Sequence, residues 1–224
     1  MTEVAQILAT HGVILVHCSG DVKGVGTVTT NSYSPIERLV NCVEHRPDVS
    51  CSTVKVGDSL SHQDPLQKNF YGPLGLIIDP LSFANITLAY PNDAGSSFCE
   101  VTKKRTGGRG LGRNTENDVC DAITKRGTVV EANYPATGWN EICCHNFKIV
   151  GLYACQQSMR FAVPNGVVTY SLADVGKALP DLPLYFGDPE KGKLVRLKWN
   201  SSSNSYDIQK VLDWCQVYQE PDRF

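Results

Sequence analysis

Three short stretches of the chain place polar or aromatic side chains next to an apolar run. His17-Cys18-Ser19 follows Val13–Val16, the turn at Tyr71-Gly72 leads on to Tyr90, and Asn140-Glu141 opens a further apolar segment. Backbone at the end of a buried strand is held rigidly, so side chains there are aimed accurately at a ligand. Their chemical groups can stack on a flat ring, hydrogen-bond hydroxyls and stabilise positive charge. A core histidine and solvated strand-end groups are the alternative interpretation.

The order and spacing of these stretches resemble the His…Tyr…Glu pattern of the ADP-ribosyltransferase family, in the branch that includes diphtheria toxin and the poly(ADP-ribose) polymerases. The first strand of that family ends in His-Gly-Thr or His-x-Ser/Thr, and this chain has His17-Cys18-Ser19. The middle block is an aromatic-glycine turn into a strand, here Phe70–Gly75, followed by Asp79 and Tyr90. The third block is Asn-Glu at the head of a strand, here Asn140-Glu141-Ile142.

The resemblance implies a fold, a substrate and a reaction. The fold is α+β, with a split β-sheet core and flanking helices around a cleft for NAD. The reaction is cleavage of NAD at the bond between nicotinamide and ribose, with transfer of ADP-ribose to a protein or nucleic-acid acceptor or to water. Proteins of this kind include toxins, effectors and housekeeping modifiers.

The resemblance also implies roles for individual residues. Glu141 is the catalytic carboxylate, because cleavage gives an oxocarbenium-like transition state that a nearby negative charge stabilises. Glu131 is the rival carboxylate. The residues expected to bind NAD are His17, Ser19, Tyr71, Gly72 and Tyr90. His17 would hydrogen-bond a ribose and Ser19 the carboxamide. Either Tyr71 or Tyr90 can stack on nicotinamide.

A basic, glycine-rich stretch follows the middle block. Lys103–Arg113 carries five positive charges and four glycines, a composition typical of a flexible loop. We expect Arg109 and Arg113 to hold an acidic acceptor. This loop also supports a second hypothesis, a non-catalytic domain that binds an acidic partner. A phosphatase loop is disfavoured, because position 24 is Gly24 where phosphate binding needs an arginine.

Composition limits the remaining classes of protein. The chain has 224 residues and a formal net charge of −2, so an overall electrostatic attraction to nucleic acid or membrane is not expected. No apolar run approaches the roughly 20 residues that span a bilayer, and Met1–Gly12 does not resemble a secretory signal. These features predict a cytoplasmic protein, or one delivered into a host cytosol, with no membrane partner.

The nine cysteines show no C-x-x-C pair, which indicates reduced thiols in a reducing compartment. Cys143, Cys144, His145 and Cys155 are candidate metal ligands. Neighbouring residues of a strand point to opposite faces, so Cys143 and Cys144 cannot easily share one ion. We therefore expect no metal.

Periodicity predicts the elements that position these groups. We expect one α+β domain, with a core over residues 1–155 and an extension over 156–224 packed on it. The predicted helices are Thr2–Thr10, Ser34–Pro47, Asn117–Arg126, Ser171–Leu179 and Tyr206–Tyr218, the last with Ile208, Val211, Leu212 and Cys215 inward. The predicted strands are Val13–Val16, Cys51–Val56, Leu74–Asp79, Thr128–Ala132, Glu141–His145, Phe147–Cys155, Phe161–Tyr170 and Leu194–Trp199, and Leu81–Ala89 is either helix or strand.

Overall fold

A computed structural model describes residues 2–18, 48–56, 74–90, 98–99, 104–105, 115–124, 141–163, 166–188, 191–214 and 216–219. Within these ranges most of the chain is β-sheet, accompanied by three α-helices. The sheet is mixed, since one strand pair is parallel and the other pairs are antiparallel. The predicted α+β class is therefore confirmed.

The described helices are α1 (Glu3–Thr10), α2 (Glu116–Thr124) and α3 (Leu172–Ala178), with 3₁₀ turns at Phe83–Asn85 and Gln216–Tyr218. None of them is long and apolar enough to cross a membrane. The strands are β1 (Val13–Cys18), β2 (Val49–Lys55), β3 (Leu74–Asp79), β4 (Ile86–Tyr90), β5 (Phe98–Cys99), β6 (Lys104–Arg105), β7 (Glu141–Cys144), β8 (Lys148–Ala154), β9 (Ser158–Val163), β10 (Gly166–Ser171), β11 (Leu184–Asp188), β12 (Lys193–Asn200) and β13 (Ser205–Asp213).

Nine of the strands form one sheet in the order β13-β12-β11-β8-β3-β1-β2-β7-β4. Strands β9 and β10 form a separate two-stranded sheet, as do the short strands β5 and β6. The sheet contains strands from both sides of position 155 in the chain, because β8, which ends before it, pairs in parallel with β11, which begins after it. The domain division at residue 155 stays a prediction.

Strand β1 lies at the centre of the core. Its first four residues, Val13–Val16, are all fully buried, as expected for an apolar run covered on both faces of a sheet. Helix α1 precedes it and buries Val4 and Leu8 on one stripe, with the Thr2 hydroxyl accepting a hydrogen bond from the Ala5 amide. Gly12 ends the helix in the left-handed region, at φ +64°.

The sheet is strongly curled. Gly192, in the turn between β11 and β12, lies against Val56 at the end of β2, although three strands separate β11 from β2 in the sheet. A Cβ atom at Gly192 would lie 2.7 Å from the Val56 Cγ1 atom, and its backbone has φ +65°. Both the close approach and the backbone angle therefore favour glycine at this turn.

Most of the predicted elements that fall on described residues are confirmed. Helix α3 begins, within the helix predicted over Ser171–Leu179, at a capping box in which Ser171 and Asp174 bond each other's backbone. The Leu81–Ala89 segment resolves into a 3₁₀ turn followed by strand β4. The single strand predicted over Phe161–Tyr170 is instead two antiparallel strands, β9 and β10, in which Val163 pairs with Gly166. The elements predicted over Ser34–Pro47 and Thr128–Ala132 lie outside the described residues.

The helix predicted over Tyr206–Tyr218 is wrong. Residues Ser205–Asp213 form β13, and Ile208 and Val211, predicted to face inward, are 72% and 60% exposed. The turn before them decides the outcome, because the Asn200 side chain accepts hydrogen bonds from two amides of Ser201–Asn204 and closes a hairpin onto β12. A paired neighbour strand stabilises the extended backbone that β-branched residues already favour.

Candidate functional site

Glu141, the predicted catalytic residue, is the first residue of β7 and lies between two neighbouring strands. It pairs with Ser52 of β2 on one side and with Tyr90 of β4 on the other. Directly opposite residues in an antiparallel pair have Cβ atoms about 4.5–5.5 Å apart. Two of the residues selected from the sequence are therefore direct neighbours across the sheet, with a serine beside them.

A bulge in β4 produces this register. Ile86 pairs with Cys144 but Leu88 pairs with Cys143, so Thr87 is the extra residue. The Thr87 hydroxyl donates to the Cys143 carbonyl at 3.2 Å and holds the bulge in place. A bulge shifts the pairing beyond it by one residue, and this shift brings Tyr90 opposite Glu141.

The same row continues into the centre of the sheet. Ser52 pairs with Val16 of β1, so residues 16, 52, 141 and 90 lie side by side on four adjacent strands. At about 4.8 Å between strands, the Cα atoms of Val16 and Glu141 are roughly 10 Å apart. His17 is the next residue along β1 and belongs to the neighbouring row, with Leu76 of β3 as its partner. Neighbouring rows of a sheet face opposite sides, so the register separates His17 from the row of Glu141.

His17 is half-buried and has a defined hydrogen bond. Its Nδ1–H donates to the carbonyl oxygen of Ser50, 2.7 Å away. A carbonyl can only accept, so the proton is assigned to Nδ1 and the acceptor lone pair of the neutral ring is on Nε2. The ring is thereby fixed to β2 at the end of β1, where an Nε2 acceptor suits a hydroxyl donor.

The two faces of the sheet differ sharply at β2, β7 and β4. We call one of them the open face; where β2 pairs with β7 and β7 with β4, its described residues are exposed Ser50 and half-buried Ser52, Leu88 and Cys143. Towards the centre of the sheet the same face is fully buried, at Val54 of β2 and Val16 of β1. The opposite one is the covered face; in β7, in β4 and in the part of β2 that pairs with β7, its described residues are at most 4% exposed: Val49, Cys51, Ile86, Ala89, Ile142 and Cys144. Helix α2 contributes buried Val119 and Ile123 to this region, and α1 packs beside it. The row that contains Glu141 belongs to the open face by register.

Ser52 is the residue that sequence reasoning missed. It is the only described residue that pairs with both Val16 and Glu141, and its position is half-buried on the open face. A signal was present, since Val49-Ser50-Cys51-Ser52 alternates apolar and polar residues as a half-buried strand does. What the sequence lacked was the identity of the neighbouring strands.

Several of the selected residues lie outside the described part of the chain. Ser19, Tyr71 and Gly72 of the expected NAD site are among them, as are Arg109 and Arg113 of the basic loop and the rival carboxylate Glu131. Tyr90 is described at the backbone level, so the choice between Tyr71 and Tyr90 as the stacking residue stays open.

The cysteines at the end of β7 divide between the two faces. Cys143 is half-buried on the open face, whereas Cys144 is fully buried on the covered face. Within the described ranges, no three His, Cys, Asp or Glu side chains are grouped to hold a metal ion. Burial raises the pKa of the Cys155 thiol, which follows β8 and lies away from β7, and a hydrogen bond with the Tyr153 side chain partly offsets that rise.

Comparison of the chain with protein-family models, with curated proteins and with solved structures finds no match.

Proposed function

We propose that this protein is an ADP-ribosyltransferase, which cleaves NAD at the bond between nicotinamide and ribose and transfers ADP-ribose to a macromolecular acceptor. The observation that carries the proposal is the row of Ser52, Glu141 and Tyr90 on the open face of the sheet. The row supports it because a carboxylate, a hydroxyl and an aromatic ring are the groups that this reaction needs, and they come from three different strands.

The carboxylate of Glu141 would act on the reacting ribose. As the C1′–N bond breaks, its electron pair leaves with nicotinamide and positive charge spreads over C1′ and the ring oxygen. Glu141 stabilises that charge and hydrogen-bonds a ribose hydroxyl. A lone pair of the acceptor then forms the new bond to C1′, and the acceptor gives up its proton. Water in the acceptor's place would give simple hydrolysis of NAD.

The neighbouring residues would bind rather than react. Ser52 is suited to orient the carboxylate, because it pairs directly with Glu141. Tyr90 or Tyr71 would stack on nicotinamide. His17, whose ring is held by the Ser50 carbonyl, lies in the neighbouring row, which faces the other side of the sheet, so we assign it no contact with an NAD molecule bound on the open face. Ser19 would contact the carboxamide.

The covered face gives further support. A ligand on the open face would rest on the segments of β2, β7 and β4 whose opposite side is packed to at most 4% exposure, so the site would have a rigid floor. The split core of the proposed fold stays a prediction, because the described strands β1 and β3 pair within one nine-stranded sheet.

The decisive experiment measures nicotinamide release from NAD by the wild type, by Glu141→Gln and by Glu131→Gln. We expect Glu141→Gln, which keeps the shape of the side chain and removes its charge, to lower kcat by about 100-fold or more with KM little changed. Glu131→Gln is the matched control and should retain activity. Loss of activity in Glu131→Gln alone would contradict the assignment of Glu141, and an inert wild type with protein, RNA and DNA acceptors would contradict the function.

The acceptor is tested separately with radiolabelled NAD. If the basic loop holds the acceptor, the double variant Arg109→Ala/Arg113→Ala should lose transfer to protein or nucleic acid while keeping NAD hydrolysis. Loss of both activities together would contradict an acceptor role for the loop. Polyanion binding without any NAD turnover would favour the non-catalytic binding domain.

A further inference from the structure

The two halves of the nine-stranded sheet meet at the junction of β1 and β3. Pairing there covers Val16 with Ile77, His17 with Leu76 and Cys18 with Gly75, and then stops. The β3–β8 pairing shifts register at the same point, between Ile77 and Ile78. The strands are therefore joined at the end that carries His17 and diverge towards Leu15.

A tyrosine from the far end of the chain occupies the point of divergence. The hydroxyl of Tyr218 accepts a hydrogen bond from the Leu15 amide at 2.7 Å and donates one to the Ile78 carbonyl at 3.1 Å. Both backbone groups are buried, so without the hydroxyl each would lack a partner there. The hydroxyl oxygen of Tyr218 thus takes the place of the next backbone hydrogen bond between β1 and β3.

The environment keeps this hydroxyl protonated. Tyr218 is 5% exposed, and its burial raises its pKa well above the ordinary value, although the Leu15 amide acts in the opposite direction. A protonated hydroxyl is required because the Ile78 carbonyl can only accept.

A second aromatic residue of the same segment contacts both halves of the sheet. Trp214 donates from Nε1 to the Val54 carbonyl of β2 at 3.3 Å. Its ring also packs edge-on against Tyr153 of β8, with the centroids 6.2 Å apart. The residues after β13 thus connect strands on either side of the junction.

We infer that Tyr218 is a positioning residue, whose hydroxyl sets the opening between β1 and β3 and thereby the placement of His17 at the paired end of the junction. The consequence for NAD binding rests on the proposed function. The consequence for the junction does not, and the two are measured separately.

The first measurement is amide hydrogen exchange in the wild type, Tyr218→Phe and Tyr206→Phe. Tyr206 is the matched control, because its buried hydroxyl has no hydrogen-bond partner among the described residues and its ring packs edge-on against Trp199. We expect the Leu15, Val16 and His17 amides to exchange at least tenfold faster in Tyr218→Phe and unchanged in Tyr206→Phe. Faster exchange at Leu15 alone would reduce Tyr218 to a local bond and overturn the positioning role.

The wild type provides a test that needs no variant to fold. The Leu15 amide bonds a side chain rather than a strand, yet it should be protected to within about tenfold of the Ile14 and Val16 amides, as a member of the same cooperative unit. Rapid exchange at Leu15 in the wild type would overturn the inference.

The second measurement is the kinetics of NAD cleavage. Val16 of β1 lies in the row of Ser52 and Glu141, so a displaced β1 should raise KM for NAD about tenfold in Tyr218→Phe and leave kcat within about threefold, whereas partial unfolding would lower kcat and leave KM unchanged. An unchanged KM with faster exchange would overturn the link to the site. If the wild type cleaves no NAD, the proposed function fails, and the exchange of residues 15–17 alone decides whether Tyr218 positions β1.

Discussion

The open face and the covered face share one backbone at β2, β7 and β4, yet they carry different residues. Ser50, Ser52 and Cys143 alternate along the strands with Cys51, Ile142 and Cys144, and only the second set is fully buried. Because side chains alternate at every residue, each strand contributes to both faces at once. The core interactions of one face thus hold the polar groups of the other in register.

This difference between the two faces explains why the residues of the candidate site need to contribute little to the stability of the fold. Polar residues at partly exposed positions contribute little to the free energy of unfolding, whereas each buried aliphatic residue contributes several times more. Substitutions on the two faces should therefore separate activity from stability.

The largest expected difference is between adjacent cysteines. Cys144 is fully buried, so its alkylation waits for opening of the structure, while Cys143 is half-buried on the open face. We expect iodoacetamide to label Cys143 at least about 100-fold faster than Cys144, measured by mass spectrometry with fragment localisation. Equal rates would contradict the assignment of the faces.

The same labelling also tests the location of the substrate. Saturating NAD should slow alkylation of Cys143, which lies two residues from Glu141 on β7. Unaltered labelling under saturating NAD would place the substrate away from the open face.

Ile142 and Ser52 should separate stability from activity. Ile142 is fully buried on the covered face, and we expect Ile142→Ala to lower the free energy of unfolding by about 2–5 kcal/mol in urea titrations. Ser52→Ala should change it by less than about 1 kcal/mol, yet reduce NAD turnover by about tenfold or more if the Ser52 hydroxyl orients the Glu141 carboxylate as proposed. A stability loss in Ser52→Ala as large as that in Ile142→Ala would remove the distinction between the faces.

The smallest effect concerns the cap of α3, the helix that packs Gly176 against Trp199 of β12. Hydrogen bonds from the Ser171 backbone and side chain lower the pKa of Asp174. A lowered folded-state pKa contributes stability that is present above the unfolded value of about 3.9 and is lost as pH falls through the folded value. Thermal unfolding should therefore show Asp174→Asn less stable than the wild type at pH 7, with the difference shrinking below about pH 4.

Asp181→Asn, at an exposed turn position outside the capping box, is the control for this titration. A difference between wild type and Asp174→Asn that stays constant from neutral to acid pH would contradict the role of the ionised carboxylate.

Local signals predicted most of the described elements. The helix predicted over Thr2–Thr10, the helix predicted over Ser171–Leu179 and the buried run Val13–Val16 each depend on neighbours in sequence, and each is confirmed. The same reasoning failed at Tyr206–Tyr218, where the apolar spacing suits a helix. There the hairpin partner β12 decided the structure, and spacing within one segment carries no information about a partner strand.

The sequence by itself determined which groups stand at strand ends, among them His17, Tyr90 and Glu141, because apolar runs and the polar residues that end them are local features. Only the tertiary structure decided which of those groups are neighbours. The bulge at Thr87 aligns Tyr90 with Glu141, β2 inserts Ser52 beside them, and Tyr218 separates β1 from β3. Each of these outcomes depends on strand order and register, which arise from contacts between residues distant in the chain.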